Sequence, residues 1–459
     1  MLFNSLSFLL LFLPVVYTVF WMLRTKNQRY AWLGVTGYVF YSFFSVRYCA
    51  LMALSTLVSY AAGRFMERAR TPLQRRLCMV IPVTFDLGLL GFFKYADFIR
   101  GTSNSLFGTS FPMLDIILPV GISFYTFHTI TYIVDCYRGV IQPTRNVMEF
   151  ISYVSLFPQL VAGPIVRFRE IEGDLDNLNS PQRADWKDRG WYFFILGLAK
   201  KVCVADTLAR WIDPMLLAPE TLTLATSWIC ALGYSYQLYF DFSGYSDMAV
   251  GLGYLFGLRL PQNFNSPYRA VSIADFWRRW HISLSSVLRD YLYIPLGGNR
   301  GSAVAVFRNL MLTMLLGGLW HGANWTFVIW GGYHGALLWA ERASGGLTAS
   351  LPVWARRGGT FLLVVIGWVF FRATTVTDAW TWLKAMAGRG GQDDGTVIYA
   401  VQGLVGLVLA AWLAHFGKNT WEFAHPLSRQ ATVGLAILFA VCLGVLLAGV
   451  PTPFLYFQF

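Results

Sequence analysis

Charged side chains are scarce in this sequence. Only 13% of its 459 residues are Asp, Glu, Lys or Arg, whereas 56% are hydrophobic and 17% are aromatic. A soluble domain carries about 25% charged residues, so the composition excludes an ordinary water-soluble fold. Helices surrounded by lipid need apolar side chains on every face, and this balance meets that need. We therefore expect a polytopic integral membrane protein.

Cysteine is also rare, and several catalytic signatures are missing. The six cysteines are dispersed and form no C-x-x-C pair, which excludes a disulfide framework or a cysteine-based zinc site. The sequence has no H-E-x-x-H or H-x-x-x-H pair, no G-x-S-x-G elbow and no P-loop. It therefore predicts no metal site, no serine-hydrolase nucleophile and no energy-coupling nucleotide site.

Acidic residues are fewer than basic ones. The chain has 24 Asp and Glu against 36 Lys and Arg, a net charge of +12. In a membrane protein this excess reflects the basic cytoplasmic loops of the positive-inside rule, so we expect no nucleic-acid partner. A cytosolic entrance for an anionic substrate would attract the same residues, and both explanations remain open.

The N-terminal third predicts a topology. No basic residue precedes the first apolar run, residues 9–23, which indicates a retained transmembrane helix. Basic loops at 24–29 and 64–76 flank an apolar stretch at 30–63 that would measure about 51 Å as one helix, well beyond a hydrocarbon core of about 30 Å. A hairpin broken near Arg47 places both loops in the cytoplasm and the N-terminus in the periplasm.

Apolar windows recur to the end of the chain without a linker or repeat. We expect one membrane domain, residues 1–459, an all-α fold with roughly 11–13 transmembrane or re-entrant helices by the rule of about 20 residues per span. Pro119 and Gly121 interrupt one window, and Gly244 separates two others. Helix breaks at membrane depth are tolerated only inside protein or beside a cavity, so these breaks indicate an internal chamber or funnel.

Residues 260–303 are the least hydrophobic part of the second half. Ser272 to Asp275 resembles a capping box that starts a helix, and we predict a helix over 276–291 that mixes tryptophan, leucine and arginine. Such a helix suits a membrane interface or a funnel wall, and it carries His281. The turn Gly297–Arg300 ends it.

Three of the six histidines lie within a stretch of about 55 residues, at His281, His321 and His334. Ionisable groups in apolar sequence are costly and usually face a cavity, whereas the alternative for each is a neutral core imidazole bonded to a backbone carbonyl. His321 is the strongest candidate, with Trp320 and Asn324 beside it. Glycines around it allow backbones to approach closely: Gly317, Gly318 and Gly322.

Asp241 and Asp247 are carboxylates between apolar runs. They could line a polar chamber, relay protons or cap a broken helix. We favour structural hydrogen bonding, because the neighbouring serine and glycine residues indicate a helix interruption.

Six strings of this sequence resemble the membrane-bound O-acyltransferases, and within them the alginate O-acetylase branch. These strings are Leu118–Phe124, Phe157–Ile165, Asp241–Ala249, Asp275–Ser285, Leu319–Trp325 and Pro453–Phe459. The resemblance implies a ring of tilted, broken helices around a funnel and tunnel that join cytosol to periplasm. It implies that His321 is catalytic and that His281 is the second functional histidine, while His334 matches a motif without an equally clear role.

The expected activity is O-acetylation of an exopolysaccharide such as alginate at the bacterial inner membrane. The donor would be acetyl-CoA, with no bound cofactor, and its phosphates would meet Arg278, Arg279, Arg289 and Arg300. The expected substrate channel contains Trp320, Asn324, Asp241, Asp247 and His334. The resemblance also implies a periplasmic acetyl carrier like an SGNH hydrolase and contact with polysaccharide secretion machinery.

Two other functions remain open. A transporter or flippase for a lipid-linked or polysaccharide substrate would also have broken helices and buried polar groups. A catalytically silent scaffold would keep the fold and tolerate loss of His321. Acyl transfer needs a base such as histidine beside a substrate channel, so the two histidines in signature strings favour the enzyme.

Overall fold

The protein is all-helical across the part of the chain that the structure describes. This computed structural model describes residues 1–180, 186–345, 350–391, 397–423, 427–449 and 454–455, and within those ranges it contains no β-strand. The predicted all-α membrane fold is confirmed. Five helical segments in the described ranges are long and apolar enough to cross a membrane: Val46–Arg68, Pro72–Phe107, Ala303–His321, Val353–Arg372 and Arg429–Ala448.

The chain divides into two compact units. The first comprises residues 1–194 and 246–261, and the second comprises 195–245 and 262–459. The α-helices confined to the first unit are α1 (Leu13–Met22), α2 (Lys26–Ser42), α3 (Val46–Arg68), α4 (Pro72–Leu90), α5 (Ala96–Phe107), α6 (Ile122–Arg138), α7 (Val147–Val154), α8 (Phe157–Leu160) and α9 (Phe168–Asp176). Helices α10 (Lys187–Ala199) and α12 (Leu224–Leu255) contribute residues to both units.

The hairpin predicted near Arg47 is confirmed, since α2 ends at Ser42 and α3 begins at Val46. The interruption predicted at Pro119 and Gly121 is also present, because α6 begins only at Ile122. Gly121 has φ of 75°, and a Cβ there would lie 2.6 Å from the carbonyl oxygen of Leu160. Only glycine fits this left-handed, closely packed helix start.

The second unit contains the region of the candidate histidines. Its α-helices within the described residues are α11 (Asp206–Ile212), α13 (Ile273–Arg279), α14 (Ile282–Leu288), α15 (Ala303–His321), α16 (Trp325–Ala343), α17 (Val353–Arg372), α18 (Val376–Met386), α19 (Val397–His415) and α20 (Arg429–Ala448). Short π-helical segments adjoin some of these helices, at Lys200–Ala205 and Arg289–Tyr293.

The prediction of one helix over residues 276–291 is wrong. Helix α13 starts with Ser272 as N-cap, whose side chain accepts from the Asp275 N–H at 3.2 Å, but it ends at Arg279. Helix α14 begins at Ile282, and the π-helical segment follows it. Local composition was compatible with a continuous helix, but contacts with residues outside this stretch bend the chain at His281.

The predicted interruption at Gly244 is also wrong, because α12 runs unbroken for 32 residues. A Cβ at Gly244 would lie 2.7 Å from the Gly197 carbonyl oxygen and 3.0 Å from the Lys201 backbone nitrogen. The glycine therefore lets two helical segments pack closely. Glycine inside a helix lowers its stability by roughly 1 kcal/mol relative to alanine, which packing here offsets.

Helices α15 and α16 form a tightly packed hairpin. A Cβ at Gly318 would lie 2.2 Å from the Phe327 carbonyl oxygen, and a Cβ at Gly331 would lie 2.3 Å from the Met314 carbonyl oxygen. The close backbone approach expected around His321 is thus confirmed at Gly318. This packing fixes the end of α15 that carries His321.

Candidate active site

His281 occupies the break between α13 and α14. It has φ of 44° and ψ of 54°, a left-handed conformation that residues other than glycine rarely adopt. Its side chain is fully buried, and its ring lies edge-on to Phe242 with centroids 4.7 Å apart. Strained backbone that the surrounding structure holds in place is common at functional sites.

A segment that precedes α13 holds this break in place. The Asn263 carbonyl oxygen accepts from the Ile282 N–H at 2.9 Å, and the Asn265 N–H donates to the Arg279 carbonyl at 2.9 Å. The Asn263 side-chain oxygen lies 3.2 Å from His281 Nδ1. His281 is therefore positioned by main-chain and side-chain bonds to residues about 18 positions earlier.

His321 is the last residue of α15 and lies beside His281. The two imidazole centroids are 6.3 Å apart, and His321 is 6% exposed. Trp320 contacts both rings, with centroids 5.9 Å from His281 and 5.1 Å from His321. The structure thus brings together two histidines that are 40 residues apart in sequence.

His334 lies in a different environment, enclosed by aromatic rings. Its ring centroid is 5.1 Å from that of Trp330 and 5.3 Å from that of Trp277. Neither ring nitrogen has a hydrogen-bond partner among the described residues. Trp330 also packs 5.2 Å from His321, so one tryptophan separates His334 from the histidine pair.

Asn324 links the end of the histidine-bearing hairpin to the chain that follows α17. Its side-chain oxygen caps α16 by accepting from the Thr326 N–H at 3.0 Å, and its amide donates to the Thr374 carbonyl at 2.8 Å. Asn324 lines a cavity of about 420 Å³. The remaining lining residues are Gly322, Ala323, Phe327, Phe371, Arg372, Ala373 and Thr374.

Two residues that line this cavity contact His321. Gly322 follows that histidine in the chain, and the Phe371 ring packs against its imidazole with centroids 5.2 Å apart. The cavity wall combines the Asn324 side chain, the Arg372 side chain and Thr374 with apolar residues. A hydroxyl-bearing molecule of moderate size therefore has room and hydrogen-bond partners next to the histidine pair.

A second cavity of about 520 Å³ lies near the opposite end of α16. Its polar lining residues are Ser272, Glu341, Ser344, Arg356 and Thr360. Asn324 caps α16 at one end and Glu341 lies near the other, about 26 Å away at 1.5 Å per residue.

The four candidate phosphate-binding arginines differ in their surroundings. Arg279 pairs with Asp275 at 3.0 Å, and Arg289 pairs with Asp290 at 2.7 Å. Arg278 and Arg300 are exposed and form no ion pair with any described residue. Arg300 precedes the start of α15, whose 19 residues span about 28 Å, so it lies far from His321.

Asp241 belongs to a buried ion-pair cluster. Lys201 Nζ lies 2.6 Å from Asp241 Oδ1 and 2.6 Å from Asp206 Oδ1. The second Asp241 oxygen accepts from the Leu455 N–H at 3.0 Å. The favoured interpretation of Asp241 was structural hydrogen bonding, and this cluster is of that kind.

Asp247 and the C-terminal string complete the candidate set. Asp247 is buried at 6% exposure and belongs to the first unit, unlike the histidines. Of the string Pro453–Phe459, only Phe454 and Leu455 lie among the described residues, and Phe454 stacks on Tyr245 with centroids 4.6 Å apart. In the described ranges, no group of three His, Cys, Asp or Glu side chains is arranged to hold a metal ion.

Comparison with known proteins identifies the family. The family model for MBOAT, the membrane-bound O-acyltransferase family, matches residues 142–374, which include both histidines of the pair. The chain is 45% identical over 446 residues to the probable alginate O-acetylase AlgI of Pseudomonas aeruginosa, covering 94% of this chain and 84% of that protein. The chain belongs to the membrane-bound O-acyltransferase family.

Two further relatives of this acyltransferase are named for two different polymers, alginate and peptidoglycan. The probable alginate O-acetylase AlgI of Pseudomonas putida is 43% identical over 498 residues, with complete coverage of both chains. The peptidoglycan O-acetyltransferase of Helicobacter pylori is 38% identical over 425 residues, covering 85% of this chain and 80% of that protein. The protein is therefore a multi-pass membrane acyltransferase of the O-acetyltransferase kind.

Sequence reasoning missed one residue of this acyltransferase site, Asn263. The region 260–303 was singled out for its polarity, but its first ten residues were assigned no role. The signal was the pair of asparagines at 263 and 265, which stand between Pro261 and Pro267. Only the fold shows that Asn263 reaches His281.

Proposed function

We propose that this acyltransferase transfers acetyl from acetyl-CoA to a hydroxyl of alginate or a similar exopolysaccharide. The observation that carries the proposal is the buried pair of His281 and His321, with ring centroids 6.3 Å apart, together with a cavity of about 420 Å³ whose lining residue Phe371 packs on His321. The names of two relatives, both probable alginate O-acetylases, support the choice of polymer. Peptidoglycan is the competing acceptor.

His321 acts as the general base. The oxygen of the acceptor hydroxyl attacks the thioester carbonyl carbon, the carbon–sulfur bond breaks, and the hydroxyl proton passes to the imidazole. The leaving thiolate then receives a proton, so the products are an acetyl ester and free CoA. Proton removal by a positioned base accelerates such reactions by about 10² to 10⁴.

The two cavities serve the two substrates. The cavity next to His321 receives the acceptor hydroxyl, which the Asn324 amide and the Arg372 guanidinium help to orient. The donor approaches from the other end of α16, near the cavity lined by Ser272 and Arg356. Separate access keeps the thioester away from water on the acceptor side.

Positive charge supports this assignment of sides. Arg342, Arg356 and Arg357 lie at the end of α16 and the start of α17, and Arg300 precedes α15. By the positive-inside rule this end is cytosolic, where acetyl-CoA is available. Arg278, exposed and three residues before His281, is the arginine best placed to bind a phosphate of the donor.

The enzyme resides in the bacterial inner membrane with its N-terminus in the periplasm. It works with a periplasmic acetyl carrier that resembles an SGNH hydrolase and with the polysaccharide secretion machinery. This part of the proposal follows from the resemblance and from the basic loops at 24–29 and 64–76. Adding the carrier should raise the rate of polymer acetylation above that of the purified chain alone, and equal rates with and without it would contradict this role.

The decisive experiment compares His321→Ala and His321→Gln in proteoliposomes supplied with acetyl-CoA. Free CoA is measured with alginate oligomers or peptidoglycan fragments as acceptor. Both variants should lose at least about 100-fold in turnover, because glutamine keeps hydrogen bonding but cannot accept the proton. His415→Gln is the control, since His415 contacts Tyr236 at 3.0 Å outside the site.

Near-normal turnover of His321→Gln would reject the base assignment. Faster turnover with peptidoglycan than with alginate would reject the proposed polymer while leaving the chemistry intact. Loss of activity only in proportion to folded protein would reject a catalytic role for His321.

A further inference from the structure

Three hydrogen-bond donors converge on one buried oxygen beside the histidine pair. Asn263 Oδ1 lies 3.2 Å from His281 Nδ1, 3.2 Å from the Ser283 backbone nitrogen and 3.0 Å from Ser283 Oγ. Asn263 is 2% exposed. A backbone N–H can only donate, so the side-chain atom that faces it is the amide oxygen and not the amide nitrogen.

The same oxygen decides which nitrogen of His281 carries the proton. An amide oxygen can only accept, so Nδ1 is the donor and is protonated. In the neutral imidazole the lone pair is then on Nε2. Nε2 is buried and has no hydrogen-bond partner among the residues described, so it is available to accept from a substrate group.

Apolar surroundings leave Asn263 as the residue that orients the ring. Phe242 meets the His281 ring edge-on at 4.7 Å, and Trp320 meets it edge-on at 5.9 Å. Neither ring fixes a tautomer. The Asn263 main chain also binds the Ile282 N–H at 2.9 Å, so one residue secures both the strained backbone and the imidazole.

We propose that Asn263 is a positioning residue for acetyl transfer, which holds His281 as the Nδ1–H tautomer so that Nε2 accepts from a second hydroxyl of the acceptor, next to the reacting one. The inference rests on the proposed function. His281 orients the acceptor through that second hydroxyl, and His321 removes the proton of the reacting hydroxyl as its oxygen attacks the thioester carbonyl carbon. No co-reactant beyond donor and acceptor is required.

Two substitutions test this role in the full-length enzyme in proteoliposomes, with acetyl-CoA and alginate oligomers. Asn263→Ala removes the oxygen that accepts from His281 Nδ1. The kcat should then fall about 10- to 100-fold, which is part of the 10² to 10⁴ that a positioned base supplies. KM for acetyl-CoA should stay the same. Asn263→Ala in a His281→Ala background should cause no further loss, because the two residues act as one unit.

Asn263→Asp keeps the acceptor oxygen and adds a negative charge. A carboxylate beside an imidazole favours the protonated ring, so the acidic limb of the rate profile should move to higher pH. A purely structural asparagine would not move that limb. Ser285→Ala is the matched control, since it removes a single side-chain bond of α14, to the Trp280 carbonyl at 3.2 Å.

The outcomes separate the inference from the proposed function. Normal kcat in Asn263→Ala beside an inactive His281→Ala would overturn the inference alone. Wild-type turnover in His281→Ala would overturn the assigned function of that histidine and the role of Asn263 with it. If Asn263→Ala does not fold, Asn263→Asp decides, and a pH profile identical to wild type rejects the proposal.

Discussion

Adding one methyl group at Gly318 should disable the active site more than it destabilises the fold. A Cβ at this position would lie 2.2 Å from the Phe327 carbonyl oxygen, whereas real Cβ atoms essentially never approach a heavy atom within 3.0 Å. Helices α15 and α16 must therefore separate by about 1 Å. Gly318 is almost one helical turn before His321, so the displacement reaches the imidazole.

The size of both effects follows from this shift. Overpacking of this kind costs about 1–3 kcal/mol, but alanine gains roughly 1 kcal/mol over glycine inside a helix. The net loss of stability in Gly318→Ala is thus about 0–2 kcal/mol. A displacement of about 1 Å at a catalytic group can lower the rate about 10²-fold.

The assay measures free CoA per folded molecule in proteoliposomes, with the melting temperature in detergent measured in parallel. Gly332→Ala is the matched control, because its Cβ would meet only flexible side chains, the nearest being Leu315 at 3.5 Å. Turnover of Gly318→Ala within twofold of wild type would refute the claim that this packing positions His321.

Three further predictions follow from the structure. Lys201→Ala leaves Asp206 and Asp241 buried without their cation, and should destabilise the protein by about 3–5 kcal/mol, seen as a lower melting temperature. Asn324→Ala removes a helix cap worth about 1 kcal/mol and part of the wall of the proposed acceptor cavity; KM for acceptor oligomers should rise while KM for acetyl-CoA is unchanged. Arg70→Cys should react with an impermeant thiol reagent only from the cytosolic side, because position 70 lies in the basic loop 64–76.

Specific results would contradict these three predictions. The control for Lys201→Ala is Lys26→Ala, which breaks an exposed ion pair with Asp176 worth at most about 1 kcal/mol. Equal losses of melting temperature in the two variants would show that burial of the Lys201 cluster is unimportant. An unchanged acceptor KM in Asn324→Ala would exclude the cavity as the acceptor site. Labelling of position 70 only from the periplasm would reverse the topology.

The sequence alone predicted that this is a helical membrane protein, and it predicted several local elements of the structure. The scarcity of charge predicted helices in lipid, and the excess length of residues 30–63 predicted the break between α2 and α3. Left-handed glycine geometry at Gly121 agreed with the predicted interruption. These features depend on residues that are close in the chain, where composition and helical rise are sufficient.

Glycine shows where such local reasoning fails. The sequence around Gly244 resembled a helix break, yet α12 continues because the missing side chain admits the backbone of Gly197. A glycine can end a helix or permit close packing, and the sequence does not distinguish the two. The partner that decides the matter is 47 residues away.

The histidine pair shows the same division at the active site. The signature strings indicated His281 and His321 separately, and nothing local showed that their rings lie 6.3 Å apart. The break at His281, and the hydrogen bond that its ring donates to Asn263, exist only because an earlier segment folds back against it. Sequence determined which side chains are available for chemistry, whereas tertiary contacts determined their orientation, because hydrogen bonds between distant residues form only once the helices have packed.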